Sequence, residues 1–514
     1  MTAALRAAIA RAQDAEGPPE QVYSPLRALG RRRLTLIDLI GQSLSTIAPA
    51  TGMVFIALWM TAYRPGPGGV LVIAVTTAAV GMVAVCITQF TRRLAAAGSL
   101  YSFVFQGLGV RAALLTGAAL IVGYLGISIS VMSQAARSLL DIADLLGLRL
   151  GGAGPWVATI ALLAAAVGAI TVRGVRFATR AILVIELLSL ILIVAIMLGT
   201  PSEAVATTAG TDALPSAPVS LLPFLAMLTV LSMAGFESAA FFGPEAKRPL
   251  VTVTHTVLVT PILIGILFVF AAAASLLGHG SVIVGAYFDG TASGASWGVV
   301  LAVKAGMTCS WFASTLGCAQ AGSRLLYSMG VERVLPPALS HVHRRFRTPD
   351  VAVALFTSAS LAGAVFYAVR AQADSAIFDG VVEVGLVTAY TLVAFASLRF
   401  LRRIGEHTVL TRAAAGFVTV LGAGLLACIA VDSTVHHAWM VPATLALVGS
   451  SGVVWHEVLR RSRPDSLITV GAFDSVETSD ILPGAGVLVV DEDGRRHIVA
   501  SGGHDVRRAR DGGQ

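Results

Sequence analysis

Between Leu36 and Trp455 the chain repeats one pattern about twelve times: an apolar run of roughly 20 residues, then a short polar or basic turn. A hydrocarbon core about 30 Å thick needs roughly that many residues per crossing helix. A backbone in lipid must satisfy its own polar groups, so the pattern restricts the chain to a helical membrane bundle. Of 514 residues, 56% are hydrophobic and 13% charged, and the mean hydropathy is +0.80. Such a composition excludes a soluble protein of several domains.

The spacing predicts spans over Leu36 to Thr61, Gly68 to Gln89, Ala112 to Leu140, Pro155 to Thr171, Ala178 to Leu198 and Val219 to Gly243. Six more are expected over Val251 to Leu277, Trp297 to Ser323, Val351 to Val369, Ala376 to Leu398, Ala413 to Val431 and Trp439 to Leu459. The net charge of +7 does not point to nucleic acid, because the basic residues alternate between loops. Arg31 to Arg33, Arg92, Arg93, Arg173, Arg176, Arg180, Lys247, Arg248, Arg344, Arg345, Arg347, Arg399, Arg402, Arg403, Arg460, Arg461 and Arg463 fall on one side if every span crosses. The intervening loops Thr200 to Pro218, Gly278 to Ala295 and Asp432 to Ala438 hold no Lys or Arg. By the positive-inside rule both termini are expected in the cytoplasm of a multi-pass protein of the cytoplasmic membrane. The polar stretch Met1 to Gly30 has no apolar core of a cleaved signal peptide, so insertion is expected to start at the first span.

Two spans, the first and the sixth, are interrupted near their middles. The first carries Ser45, Thr46, Ile47, Ala48, Pro49, Ala50, Thr51 and Gly52; the second carries Ser232, Ala234, Gly235, Phe236, Glu237 and Ser238. Proline lacks an amide hydrogen and crowds the preceding turn, and glycine is a poor helix former. Unwound backbone at membrane depth survives only inside protein or along a cavity, and a matched pair of broken spans marks a transporter's binding site. A helix broken there exposes amides at one end and carbonyls at the other. Amides around Ala50 to Gly52 are thus candidates to hold a carboxylate, and the freed carbonyls to hold an ammonium or a cation. A kink at Pro49 and a packing role for Gly235 are the plainer alternatives.

Ionisable residues inside a span cost about 2.5–3.5 kcal/mol at the bilayer centre, so each requires an account. Glu237 beside the second break can receive a proton, bind a cationic group, or accept from freed amides. Glu186, midway along the fifth span, can pair with another helix, and Lys304 in the eighth either pairs or snorkels. Glu383, near the start of the tenth, is expected close to the outer rim. Cys86, Cys309, Cys318 and Cys428 lie in apolar runs without metal or disulfide spacing and read as small core residues. The Gly and Ser residues of the third span, from Gly117 to Ser133, favour close helix packing. Gly98 to Gly109 suits a short interfacial helix, and Gly486 to Val490 a small strand in the tail. No phosphate loop, dinucleotide loop or His-Glu-x-x-His stands in the chain, so no enzyme, cofactor or metal is expected, and transport would run on gradients.

With these residues in view, the chain resembles the amino acid–polyamine–organocation family of secondary permeases. The strongest match is Gly235-Phe236-Glu237 followed by Glu245, Lys247 and Pro249, similar to the family's sixth-helix pattern. Ala97-Gly98-Ser99-Leu100-Tyr101, Arg173-Gly174-Val175-Arg176, Arg324 to Met329, Leu335-Pro336 and Thr348-Pro349 also fit, and the likeness covers roughly residues 30 to 460. It implies an all-α membrane fold of LeuT-like type, with a 5+5 inverted repeat and discontinuous helices 1 and 6. It also implies import or exchange of amino acids or amines by alternating access. The family's frequent Gly-x-Gly at the first break is replaced here by Ser45 to Gly52. The lysine that some members keep in helix 5 falls near Ser189, one turn from Glu186, which leaves the coupling ion, proton or sodium, open.

The expected organisation is a cytoplasmic segment 1–35, a first repeat 36–198, a second repeat 219–403, two added helices within 413–460, and a cytoplasmic tail 461–514. Substrate-binding candidates are Thr46, Ile47, Ala48, Pro49, Ala50, Thr51, Gly52, Ser232, Ala234, Gly235, Phe236 and Glu237. Coupling or gating candidates are Glu186, Ser189 and Lys304. The expected activity is secondary transport of an amino acid or related amine. The alternatives are a polyamine or organic-cation carrier using Glu237 or Glu186, and a membrane amine sensor.

Overall fold

The structure, a computed structural model, describes Leu29 and residues 34–199, 221–370, 375–471, 487–490 and 496–499. Residues 1–28 and 30–33 of the predicted segment 1–35, the loop 200–218, and Val219 and Ser220 lie outside the described residues, as does most of the tail beyond 471.

The first span begins at a capping box. The Thr35 amide donates to Asp38 Oδ2 at 2.9 Å and the Asp38 amide to Thr35 Oγ1 at 3.4 Å, supplying an N-terminus that the sequence offers no proline or glycine to fix. Helix α1, Leu36–Ile47, stops at Ala48, which is left-handed at φ 56°, and α2, Pro49–Tyr63, restarts with proline at its first position. There the missing N–H costs nothing, because that amide would be unpaired in any helix. The chain continues through α3 (Gly66–Thr91), α4 (Leu100–Leu108), α5 (Val110–Leu145), α6 (Ala153–Val172) and α7 (Val175–Gly199). Helix α8, Leu221–Ser232, ends before Gly235, and a 3₁₀ segment, Phe236–Glu245, carries the chain on. Then come α9 (Pro249–Leu276), α10 (Gly280–Phe288), α11 (Trp297–Val331), α12 (Asp350–Arg370), α13 (Ser375–Ile404), α14 (Val409–Val435), α15 (Met440–Ser462) and α16 (Pro464–Thr469).

Eleven described segments are long and apolar enough to cross a bilayer, so this is a multi-pass helical membrane protein. The expected twelfth is a helix of 23 residues, α15, which is not among the eleven. Gly449-Ser450-Ser451-Gly452 and His456-Glu457 dilute its hydropathy, and it packs on α5 and α13. The span Leu36–Tyr63 has 83% of its most apolar window buried, against 17% for Val409–Val435. The broken first helix is therefore the axis of the bundle and α14 its lipid-facing edge.

Several expectations are corrected. Helix α4 forms where an interfacial helix was expected, yet Leu100 to Val104 are buried against α5 and α13 instead of lying on the surface. Cys86 and Cys318 are buried, but Cys309 and Cys428 are exposed on the helix surface. In lipid an outward-facing thiol is as well solvated as a core one, so an apolar run does not reveal its facing. The tail does hold a strand, Val487–Val490, paired antiparallel with Arg496–Val499.

Candidate functional site: the two helix breaks

Both breaks are real, and they meet. Gly235, at φ 101°, sits so close to helix 1 that a Cβ there would lie 2.7 Å from Thr46 Cγ2, and Gly317 of α11 also abuts Thr46. Around Thr46 the polar side chains bind one another. Thr46 Oγ1 donates to Gln42 O at 2.7 Å and accepts from Ser238 Oγ at 3.1 Å. Ser314 Oγ donates to Thr46 O at 2.7 Å, Gln42 Nε2 to Gly317 O at 2.9 Å, and the Ala239 amide to Ser43 Oγ at 3.1 Å. One knot thus ties helices 1, 6 and 8. Ser43, Ser45, Ala48, Ala50, Phe236, Glu237 and Ser238 are all buried, so the breaks face packed side chains and the site is closed.

The freed amide at the first break is already engaged. Ala50 N–H donates to Glu186 Oε1 at 3.3 Å, and Ser310 Oγ donates to the same oxygen at 2.9 Å. Gly52 N–H donates to Ala48 O at 3.1 Å, inside the helix. Of the amides expected to be open, those of Ala50 and Gly52 are engaged: Glu186, brought over on α7, supplies the carboxylate that the positive end of α2 attracts. Its second oxygen, with Gln42 Oε1 and Ser45 Oγ, is buried without a hydrogen-bond partner among the described residues. Buried orphans are uncommon in folded proteins and call for an explanation, and three stand on α1 and beside the break that ends it.

Since only Oε1 of Glu186 takes part, glutamine can keep both bonds and leucine neither. Glu186→Gln is expected to stay within about 1 kcal/mol of the parent in detergent unfolding, and Glu186→Leu to lose about 1–3 kcal/mol. Equal losses would show that the charge, not the oxygen, holds the break.

At the second break Glu237 accepts from Tyr124 Oη of α5 and from Tyr390 Oη of α13, both at 2.8 Å, and Gly235 N–H reaches Tyr390 Oη at 3.4 Å. Tyr124 is edge-on to Phe241, and Tyr390 lies against Phe236, which fixes both hydroxyls. Glu237 thereby joins α5 and α13 to the 3₁₀ segment at the break.

The other candidates divide. Ile47, Pro49, Thr51, Gly52, Ala234 and Phe236 are buried at the breaks, while Ser232 is half-buried at the end of α8. Ser189 Oγ donates to Ile185 O in its own helix at 3.0 Å. Lys304 is remote from the breaks: its Nζ pairs with Asp141 at 3.1 Å and lies 5.3 Å from the Tyr287 ring centroid, which joins α11 to α5 and α10. Glu383 is 4% exposed and so packs inside the protein. The sequence reading missed Gln42, Ser43, Tyr124, Ser310, Ser314, Gly317 and Tyr390. Gln42 and Ser43 stand out as adjacent polar residues in an apolar run; nothing in the sequence marked the tyrosines.

At the arginine-rich end, Leu34 N–H donates to Glu245 O and Lys247 N–H to Leu34 O, tying the start of helix 1 to the end of the 3₁₀ segment. Arg324 Nε donates to Glu245 Oε1 at 2.7 Å with its guanidinium 4.0 Å from the Phe242 ring centroid, and both charges are buried.

The family described as Amino acid permease matches residues 34–450. Uncharacterized transporters of Mycobacterium tuberculosis and Mycobacterium bovis are each 27% identical over 379 residues, covering 72% of this chain and 80% of theirs. Among solved structures, the Eremococcus coleocola manganese transporter in complex with an aromatic bis-isothiourea compound aligns at 10% identity with a TM-score of 0.48, covering 85% of this chain and 95% of that one. The matched stretch runs from the bridge at Leu34 through both breaks and on into α15, and the chain belongs to the amino acid permease family.

Proposed function

We propose that this permease moves an amino acid or related amine across the cytoplasmic membrane by alternating access, driven by an ion gradient or by exchange. The observation that carries the proposal is the meeting of the two breaks at Thr46, with unpaired polar atoms of Gln42, Ser45 and Glu186 beside them. Substrate would enter when helices 1 and 6 part there, its polar groups taking up those atoms. The inverted repeats 36–198 and 219–403, termini on the cytoplasmic side, and α15 as a twelfth crossing belong to the same reading. The Leu34 bridge and the Arg324–Glu245 pair would then close the cytoplasmic side.

One observation favours an amine without a carboxylate as substrate. Glu186 already occupies the Ala50 amide, so a substrate carboxylate would have to displace it there, whereas Glu186 Oε2 offers an acceptor for an ammonium. Uptake of labelled amino acids and of labelled putrescine into proteoliposomes separates the two substrates, and binding without accumulation would indicate a sensor. Glu237→Gln, which turns an acceptor of two tyrosine hydroxyls into a mixed amide, is expected to lower uptake about tenfold, as removal of charge-assisted hydrogen bonds of about 1.5–3 kcal/mol allows. Uptake unchanged across pH would remove Glu237 from the mechanism.

A further inference from the structure

Helix α13 carries a second buried carboxyl that the substrate site does not use. Glu383 is 4% exposed, and its Oε2 is buried without a hydrogen-bond partner among the described residues. It borders a cavity of about 10 Å³ whose other walls are Met227, Val230, Leu231 and Ala234 from the sixth span, Leu386 and Val387 from α13, and Leu425 of α14. Helix α13 packs closely on α5 nearby: a Cβ at Gly126 would lie 2.5 Å from Val382 Cγ2, and one at Gly385 would lie 2.6 Å from Ala119 O.

The charges that act on Glu383 are acidic. Asp379 stands one turn earlier on the same helix, and Asp432 on α14 pairs with His436 at 3.4 Å. Tyr367 of α12 and Arg137 of α5 lie on the Asp379 side. From the sixth span only aliphatic and thioether side chains face the carboxyl. Helix α13 starts at Ser375, so Glu383 lies about 12 Å along the helix from the end opposite the arginines. At the cavity's inner end, Ala234 immediately precedes the break at Gly235. Tyr390, seven residues on from Glu383 and so on the same helix face, binds Gly235 and Glu237.

We propose that Glu383 is the proton-binding site through which the face opposite the arginine-rich loops drives transport; this rests on the reading of the protein as a gradient-driven permease. A metal cation does not fit. Sodium, like other hard ions, needs several oxygen ligands, and the cavity walls beyond Glu383 are apolar side chains. A proton needs one carboxylate oxygen and little room. Hydronium on that face gives up a proton to Oε2: its O–H bond breaks, the new O–H bond forms on the carboxylate, and water is left behind. The charge disappears until the proton leaves toward the arginine-rich side when the bundle opens there. The neutral acid leaves the sixth span free to close on α13, whereas an ionised carboxyl among aliphatic walls demands water and holds that seam open beside Gly235. Proton occupancy thus biases the break in helix 6, where substrate contacts are made.

The test uses the full-length protein in proteoliposomes with a labelled mixture of the common amino acids plus putrescine and a trapped pH dye. Wild type is expected to accumulate label under an inward proton gradient and to acidify the lumen. In Glu383→Gln, gradient-driven accumulation is expected to fall about tenfold or more, with counterflow exchange at equal pH within about twofold of wild type. Glu383→Leu, which suits the apolar walls, should behave the same way and guards against a folding artefact. Wild-type counterflow without proton-driven accumulation, or undiminished accumulation in both variants, overturns the proton site and leaves the permease reading standing. No uptake of any label by wild type overturns the permease reading. In that case infrared difference spectra against pH still decide the site, since one protonated-carboxyl band of wild type must be missing from Glu383→Gln and identical band sets in the two would overturn it.

Discussion

Replacing Arg324 by alanine is expected to lower the unfolding free energy by about 3–5 kcal/mol, because it takes the paired cation away from the buried Glu245 carboxylate. Arg324 is 1% exposed and Glu245 3%, so solvent does not screen the loss. The guanidinium also donates to Gln320 O at 2.9 Å and covers Phe242, contacts that alanine cannot replace. The double variant Glu245→Leu with Arg324→Met is the informative control. Removing both charges together is often neutral, so recovery of most of the stability would assign the single-variant loss to an uncompensated charge. Denaturant unfolding of the purified protein in detergent reads both values. A single variant as stable as wild type would mean that water reaches Glu245. The same double variant should transport abnormally even where it is stable, since the pair lies beside the Leu34–Ala246 bridge that ties helix 1 to helix 6.

Gly235→Ala is expected to abolish uptake while the bundle still assembles. The residue lies in the left-handed region, where an L side chain costs about 1–2 kcal/mol. The new methyl would also meet Thr46 Cγ2 at 2.7 Å, an overpacking that costs about 1–3 kcal/mol. Both penalties fall at the contact between the two breaks, so they distort the proposed substrate site before they threaten the remainder of the fold. Thr46→Ser removes the clashing methyl and keeps the hydroxyl that Ser238 reaches, so the double variant should regain part of the uptake. The backbone strain would remain. Wild-type uptake by Gly235→Ala alone would show that the second break tolerates an ordinary residue and has no part in the transport cycle.

The sequence by itself determined the helical membrane architecture, eleven of the twelve expected spans and the two interruptions, because run length, Pro49 and Gly235 act through local backbone physics. Glu186 and Glu237 also stood out unaided, since a carboxyl in an apolar run has few explanations. What only the tertiary structure decided was who meets whom. Glu186 sits 136 residues from the Ala50 amide it binds, and Tyr124 and Tyr390 lie 113 and 153 residues from Glu237. In a bundle whose every helix is apolar, hydropathy does not tell an inward face from a lipid-facing one. That is why Cys428 reads as a core residue until the helices are packed. Direct contact across such distances depends on helix rotation and close approach, set by glycines such as Gly126, Gly317 and Gly385, and no local pattern encodes it.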